Sequence, residues 1–481
     1  MALRADLRQL QQPEKNSENE RGILPGDNTE QCSALKHSLK TGDMMMRIPT
    51  HQRLFTVLCR RLRARCGGTE MPDFIRLKLK TFTFLKAGLI MMCITMAGGC
   101  ASRSQECLYS LQGAPDKEKG WTFLPSEKGK KVYIPFEGYY ESKGGRIQSP
   151  RISLGKKSGR GAFYCLRFMA SAQVQGYWWI DFFDHNGAPL PDINSALYAS
   201  EKPEPYEEVF FADPRAESAV IAFVSKEGVS VRDIELQEIS PTEAASWCDK
   251  LYAQLPQCRF ETSPDAFAFL PKTKEALQTG KTWRILLLGD SIVNDTWTSN
   301  FQALVMRDFP NADLIFYISV RGTTGCWYYK KPEYFKKYVA DFKPDLVMIG
   351  GISNNMNPSQ NGDPEKNLIS VIEQCKLLGC ELVVMSPPPS WEWRVSPEQA
   401  DWSEDWQIAN GFKPLQRDYQ RNATEKTGTA YWDLTTTPCN TITNARKPMD
   451  WFRRDGVHNN DRGKQLIGQN LAAWFRMAKE K

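Results

Sequence analysis

Two short runs far apart in the chain carry residue types suited to acyl transfer. Ser291 closes Arg284-Ile-Leu-Leu-Leu-Gly-Asp-Ser291, and His458 closes Asp455-Gly-Val-His458 near the other end. A serine hydroxyl is a weak nucleophile until a base takes its proton, so it needs an imidazole within hydrogen-bond reach. The base needs a carboxylate to fix its tautomer and stabilise the imidazolium, and Asp455 stands three residues before His458. The chain has only four histidines, His37, His51, His185 and His458, so an imidazole base in the C-terminal half is His458. The blander readings are a helix cap at Gly289-Asp290-Ser291 and a surface histidine beside Asn459-Asn460-Asp461. The scarcity of histidine favours chemistry.

Such groups must be held by a rigid frame. The apolar run into Gly289 suits a strand buried on both faces, and open α/β sheets carry their chemistry at the carboxyl ends of strands. Four further apolar segments follow it at Leu314–Val320, Leu346–Gly350, Leu382–Met385 and Ala430–Leu434. Helical spacing separates them near 292–308, 331–341, 364–378, 411–426 and 461–478. This alternation predicts an α/β domain at 282–480, a parallel sheet with helices on both faces.

The pair Gly289-Asp-Ser291 and Asp455-Gly-Val-His458 resembles the SGNH (GDSL-type) hydrolases, a family of serine esterases, over roughly 280–480. The resemblance implies a flavodoxin-like parallel five-stranded sheet, with Ser291 as nucleophile, His458 as general base and Asp455 orienting it. It also implies two oxyanion donors. In Val320-Arg-Gly-Thr-Thr-Gly-Cys-Trp327, Gly322 matches the family's glycine and Gly325 is the alternative. In Gly350-Gly-Ile-Ser-Asn-Asn355 an extra residue intervenes relative to the family's Gly-x-Asn-Asp, so the donor is Asn354, with Asn355 second. The Gly-x-Ser-x-Gly elbow of α/β-hydrolases is absent from the sequence.

Composition limits the other classes. A net charge of +6 over 481 residues, with 41% hydrophobic and 25% charged residues, is that of an ordinary globular protein and gives no electrostatic footprint for nucleic acid. No Cys-x-x-Cys or His-Glu-x-x-His occurs, and the expected chemistry needs no metal or cofactor.

Ahead of the α/β domain the chain changes character several times. Residues 1–70 are polar, mixed in charge and without hydrophobic period, which predicts disorder, or a misassigned extension if translation starts at Met71. Arg76, Lys78 and Lys80 precede the short apolar run Ala87–Ala97, which fits a signal peptide at 71–100 and export to the periplasm or cell surface. The small residues before Cys100 resemble a bacterial lipobox, with Ala97 where an aliphatic residue is usual, so membrane attachment is expected only through a lipid on Cys100. Eight cysteines follow Cys100; disulfides (Cys248/Cys258, Cys375/Cys380) and buried free thiols are both open.

Residues 120–240 read as an all-β sandwich. Short alternating or aromatic segments recur between turn residues at Lys131–Pro135, Gly161–Phe168, Tyr177–Phe183, Glu208–Phe211, Ala219–Val224 and Val229–Leu236. The arrangement resembles a jelly-roll carbohydrate-binding module, in which Tyr177, Trp178 and Trp179 would stack on sugars or fill the core. Residues 241–281 form a connector, helical from Pro241 to Leu255 and then broken by Pro256, Pro264 and Pro271.

Tryptophans cluster at Trp391, Trp393, Trp402 and Trp406, after the fourth strand of the α/β domain. With Trp327, Trp391 and Trp393 are the candidate substrate-binding residues. The expected partner is an acylated carbohydrate, from which the enzyme removes O-acetyl groups. The alternatives are a lipid or small-ester hydrolase, and a surface glycan-binding protein with an inactive hydrolase domain.

Overall fold

The computed structural model describes residues 107–480, apart from 125–131, 135–137, 141–145, 156–158, 226–228, 351–360, 389–412, 446, 448–450 and 456. The expectations for 1–70, for 71–100 and for Cys100 lie outside the described residues.

Among the described residues twelve strands come first: β1 (Cys107–Leu111), β2 (Thr122–Leu124), β3 (Val132–Ile134), β4 (Gly138–Tyr140), β5 (Arg146–Gln148), β6 (Ile152–Ser153), β7 (Ala162–Ala172), β8 (Gly176–Phe183), β9 (Ile193–Leu197), β10 (Glu204–Ala212), β11 (Ser218–Ser225) and β12 (Val229–Ile239). One antiparallel sheet has the order β1-β12-β7-β10, and a second runs β2-β5-β11-β8-β9, with β6 also on β11. The two sheets face each other through aromatic side chains. Phe168 of β7 meets Phe223 of β11 edge-on at 4.9 Å, and Phe182 of β8 meets Phe210 of β10 at 5.9 Å. A sandwich-like region is therefore present. It begins at Cys107 rather than at 120, because β1 pairs with the last strand, β12.

The three adjacent aromatics of β8 divide unevenly. Trp178 and Trp179 are buried, so neither presents a face to a sugar, and only Tyr177 remains half-buried. Neighbouring residues of a strand point to opposite faces. Burial of both tryptophans shows that this strand is covered on both sides.

The linking segment holds two helices. In α1 (Pro241–Tyr252) Ser240 and Glu243 form a reciprocal capping box with proline at the first turn. Pro271, read from sequence as a breaker, instead opens α2 (Pro271–Thr279), where its missing N–H costs nothing.

The C-terminal sheet has five parallel strands, β13 (Thr282–Gly289), β14 (Asp313–Val320), β15 (Leu346–Gly350), β16 (Glu381–Met385) and β17 (Ala430–Trp432), in the order β14-β13-β15-β16-β17. Between and after them come α3 (Ser291–Trp297), α4 (Phe301–Asp308), α5 (Cys326–Tyr329), α6 (Pro332–Tyr338), α7 (Pro364–Leu378), α8 (Lys413–Thr427), α9 (Thr436–Ala445) and α10 (Asp461–Arg476). Alternate residues of β13 enter different cores. Ile285 and Leu287 pack with α3, α4, α10 and the sandwich, whereas Leu286 and Leu288 pack with α5, α6, α7 and α8. That is why β13 reads as a continuous apolar run. The single helix expected over 292–308 is two, because Asn300 adopts φ 57° between α3 and α4.

The strand order reverses direction between β13 and β15, and the crevice outside the strand ends at such a point is where open α/β sheets bind ligands. Ser291 follows β13 directly.

Candidate active site

The turn from β13 into α3 is tight because Gly289 lacks a side chain. A Cβ there would stand 2.2 Å from the Gly350 carbonyl oxygen and 2.4 Å from Val293 Cγ2. The Gly289 carbonyl is fixed by two donors, Tyr329 Oη at 2.6 Å and the Arg321 N–H at 3.1 Å. Asp290 is the N-cap of α3, its carboxylate accepting from the Ile292 N–H at 3.0 Å. The cap is thus supplied by Asp290. The Ser291 hydroxyl is left for another partner.

That partner is His458, whose Nε2 lies 2.9 Å from Ser291 Oγ across 167 residues of chain. On the other edge of the ring, Nδ1 lies 2.9 and 3.0 Å from the two carboxylate oxygens of Asp455. A carboxylate only accepts, so Nδ1 carries the proton and Nε2 is the lone pair facing the serine. Asp455 Oδ1 also accepts from the backbone N–H groups of Val457 at 2.8 Å and His458 at 2.7 Å. Burial alone would raise the Asp455 pKa. The hydrogen bond from His458, the charge the imidazole carries when protonated, and the Arg454 cation outweigh it and hold the carboxyl below the usual range.

The Asp455–His458 turn tops a hairpin in which Arg453 pairs with Asn459 and the Arg454 N–H donates to the His458 carbonyl at 3.1 Å. Asn460 then caps α10, accepting from Arg462 N at 3.1 Å and Gly463 N at 3.3 Å. The polar run Asn459-Asn460-Asp461 is therefore a helix start.

Gly322 lies in the turn after β14, next to the strand that carries Ser291, since Val320 is in register with Gly289. Its carbonyl accepts from the Thr323 hydroxyl at 2.7 Å. Trp327 is half-buried in α5, edge-on to Tyr328 at 5.8 Å, and its indole N–H has no partner among the described residues. Asn354 and Asn355, Trp391 and Trp393 lie outside the described residues. All eight cysteines after Cys100 are free thiols, and six are buried.

A protein-family profile described as GDSL-like Lipase/Acylhydrolase matches residues 285–471. Residues 285–471 are a GDSL-like acylhydrolase domain. The acylhydrolase domain is preceded by the β-sheet region, as the sequence led us to expect. Among solved structures, the chain is similar to a catalytic mutant of an acetylxylan esterase from Geobacillus stearothermophilus (13% identity, 41% of this chain and 95% of that one, TM-score 0.34). It is similar to a two-domain esterase active on acetylated mannans (12% identity, 45% of this chain and 54% of that one, TM-score 0.35). It is also similar to a peptidoglycan O-acetylesterase (10% identity, 78% of this chain and 79% of that one, TM-score 0.28). A search of curated proteins finds no match.

Several groups around Ser291, His458 and Asp455 were not singled out from sequence. Asp295, one turn along α3 from Ser291, accepts from the Asn459 N–H at 2.7 Å and faces Arg454 Nη2 at 3.2 Å. Arg454 in turn donates to the backbone and side-chain oxygens of Asn194 in β9. The Arg454 carbonyl accepts from Gln175 Nε2 at 2.8 Å. The four-residue spacing of Ser291 and Asp295 is plain in the sequence; the partners of Asp295, Arg454 and Asn459, come from another part of the chain and were not legible there.

Proposed function

We propose that the chain is an exported serine esterase that removes O-acetyl groups from a carbohydrate. The observation that carries the reading is the unbroken relay from Asp455 through His458 to Ser291 Oγ, each step within 3.0 Å. Ser291 Oγ attacks the acetyl carbonyl carbon while His458 Nε2 takes the hydroxyl proton, and Asp455 stabilises the imidazolium that forms. The Gly322 N–H and the Asn354 side chain, or Asn355, receive the negative charge that develops on the carbonyl oxygen. The tetrahedral intermediate collapses as His458 returns the proton to the departing sugar oxygen, leaving an acetyl-serine. Water, deprotonated by the same imidazole, then releases acetate and restores Ser291. The balance requires water and no other reagent.

Two features support a carbohydrate. The half-buried Tyr177 of the sandwich stands beside the catalytic turn, its ring centre 6.0 Å from the Arg454 guanidinium carbon. Tryptophans concentrate in the segment that follows the carboxyl end of β16, where Trp391 and Trp393 would supply flat apolar faces for sugar rings. Export rests on the basic and apolar pattern of residues 71–100, and a lipid on Cys100 would hold the enzyme at a membrane surface.

The test is acetate release by the full-length chain from acetylated polysaccharides, compared with hydrolysis of p-nitrophenyl acetate and p-nitrophenyl octanoate. Ser291-dependent acetate release and a preference for the short ester support the reading. A preference for the octanoyl ester with no release from any polysaccharide would replace it with lipid or simple-ester hydrolysis.

A further inference from the structure

Catalysis by this triad depends on a distance set by two separate pieces of chain, the helix that carries Ser291 and the turn that carries His458. One buried ion pair joins them. Asp295 lies four residues beyond Ser291 on α3, hence on the same helical face one turn away. Its side chain is 2% exposed and that of Arg454 is 5%, so water does not screen the contact. Asp295 Oδ2 holds the Asn459 N–H at 2.7 Å, and Oδ1 faces Arg454 Nη2 at 3.2 Å. Arg454 immediately precedes Asp455, and Asn459 immediately follows His458. Both ends of the catalytic turn are therefore attached to one carboxylate on the nucleophile's helix.

Arg454 extends the attachment to the sandwich. Its guanidinium donates to the Asn194 carbonyl at 3.1 Å and to the Asn194 side chain, while Nε stands 4.0 Å from Asp455 Oδ2. Its own carbonyl is held by Gln175 from the β7–β8 connection at 2.8 Å. The planar fork of arginine meets Asp295 and Asn194 at once, which a lysine ammonium on a flexible stem does not reproduce.

We infer that Asp295 and Arg454 are positioning residues that set the Ser291–His458 distance, and that through Asn194 and Gln175 the sandwich is a working part of the esterase site. The inference rests on the esterase reading above. A buried ion pair contributes little net stability compared with neutral side chains of similar size, whereas removing one partner leaves the other's buried charge without its nearest counter-ion. Misplacing a catalytic group by about 1 Å costs on the order of 100-fold in rate. Stability and rate therefore separate.

The experiment compares full-length wild type, Ser291→Ala, Asp295→Asn, Arg454→Met, the double variant Asp295→Asn/Arg454→Met, and Arg454→Lys, by thermal melting and by kcat and KM on p-nitrophenyl acetate. Each charge-removing single variant should melt lower, and the double variant should regain most of the loss. The expected double variant keeps kcat down by at least about tenfold while KM moves by less than about threefold, the pattern of lost alignment and not of lost binding. Folded Arg454→Lys should show the same kcat-specific loss. A double variant that regains wild-type kcat together with its melting temperature would overturn the inference, as would a folded Arg454→Lys with wild-type kcat. If the double variant does not regain its melting temperature, Arg454→Lys alone decides. Wild-type activity equal to that of Ser291→Ala would overturn the esterase reading and this inference with it. A Ser291-dependent wild type with unaffected variants would overturn the inference alone.

Discussion

The indole Nε1 of Trp297 donates to the Phe211 carbonyl at 2.9 Å, which joins the helix carrying Ser291 to strand β10 of the sandwich. Their rings lie 5.3 Å apart, and Phe211 also meets Phe316 of β14 at 6.4 Å, so one hydrophobic core runs through both parts of the chain. Residues 282–481 expressed alone would expose this aromatic surface to water. The expected outcome is a fragment without cooperative thermal unfolding and without esterase activity, read by near-ultraviolet circular dichroism and p-nitrophenyl acetate hydrolysis. A fragment that melts cooperatively and turns over would show that the sandwich is dispensable.

Asp455 gives the site a defined acid sensitivity. Its folded pKa lies below the ordinary 3.8, so the unfolded chain takes up this proton at a higher pH than the folded one. The stability it contributes is full above about pH 5, falls as pH drops through the ordinary carboxylate range, and is gone below the folded value. Chemical denaturation from pH 7 down to pH 3 should therefore show a loss of stability that Asp455→Asn lacks. Equal slopes for the two proteins would contradict the assignment.

Glu208 has the opposite sign. Burial raises its pKa well above the ordinary 4.5, with Asp461 adding to the shift and Lys464 opposing it. The folded state therefore favours the neutral acid, and the stability this contributes is present below pH 4.5 and lost as pH rises through the folded value. Glu208→Gln keeps the shape without the titration. It should melt higher than wild type at pH 9, and the difference should shrink toward pH 5. A variant that melts lower at pH 9 would mean that the charged form of Glu208 is needed by Lys464.

Gly289→Ala tests how closely β13 and β15 approach at the turn that leads into Ser291. The added methyl meets a backbone carbonyl at 2.2 Å, which cannot rotate away as a side chain can. Overpacking of this kind costs about 1–3 kcal/mol. Denaturant unfolding should show a loss in that range, with a lower kcat because Ser291 is displaced. Wild-type stability would show that the strands separate at little cost.

The triad was legible because its members carry local signals: an apolar run ending in Gly-Asp-Ser, and the last of very few histidines preceded by an aspartate. The five strands of the α/β sheet were legible for the same reason, being apolar on both faces. Strand β9, Ile193-Asn-Ser-Ala-Leu197, was not found, since Asn194 and Ser195 read as turn residues. They are buried in a strand because their partners Arg454, Lys464 and Asp461 arrive from more than 250 residues away. Pro271 has the same local signature whether it ends a helix or opens one, and only the packing of residues 272–279 decides between them. Trp178 and Trp179 had the composition of a sugar platform, and only the covering of both faces of β8 shows them to be core.

The most direct test of the relay is covalent labelling by a fluorophosphonate, with peptide mapping of the product, in wild type, Ser291→Ala and His458→Ala. A serine hydroxyl reacts with the probe only when a base activates it. The expected result is a single label on the peptide containing Ser291 in wild type, none in Ser291→Ala, and labelling slowed by orders of magnitude in His458→Ala. Labelling of another residue, or equal labelling of wild type and His458→Ala, would contradict the assignment of Ser291 and His458 as nucleophile and base.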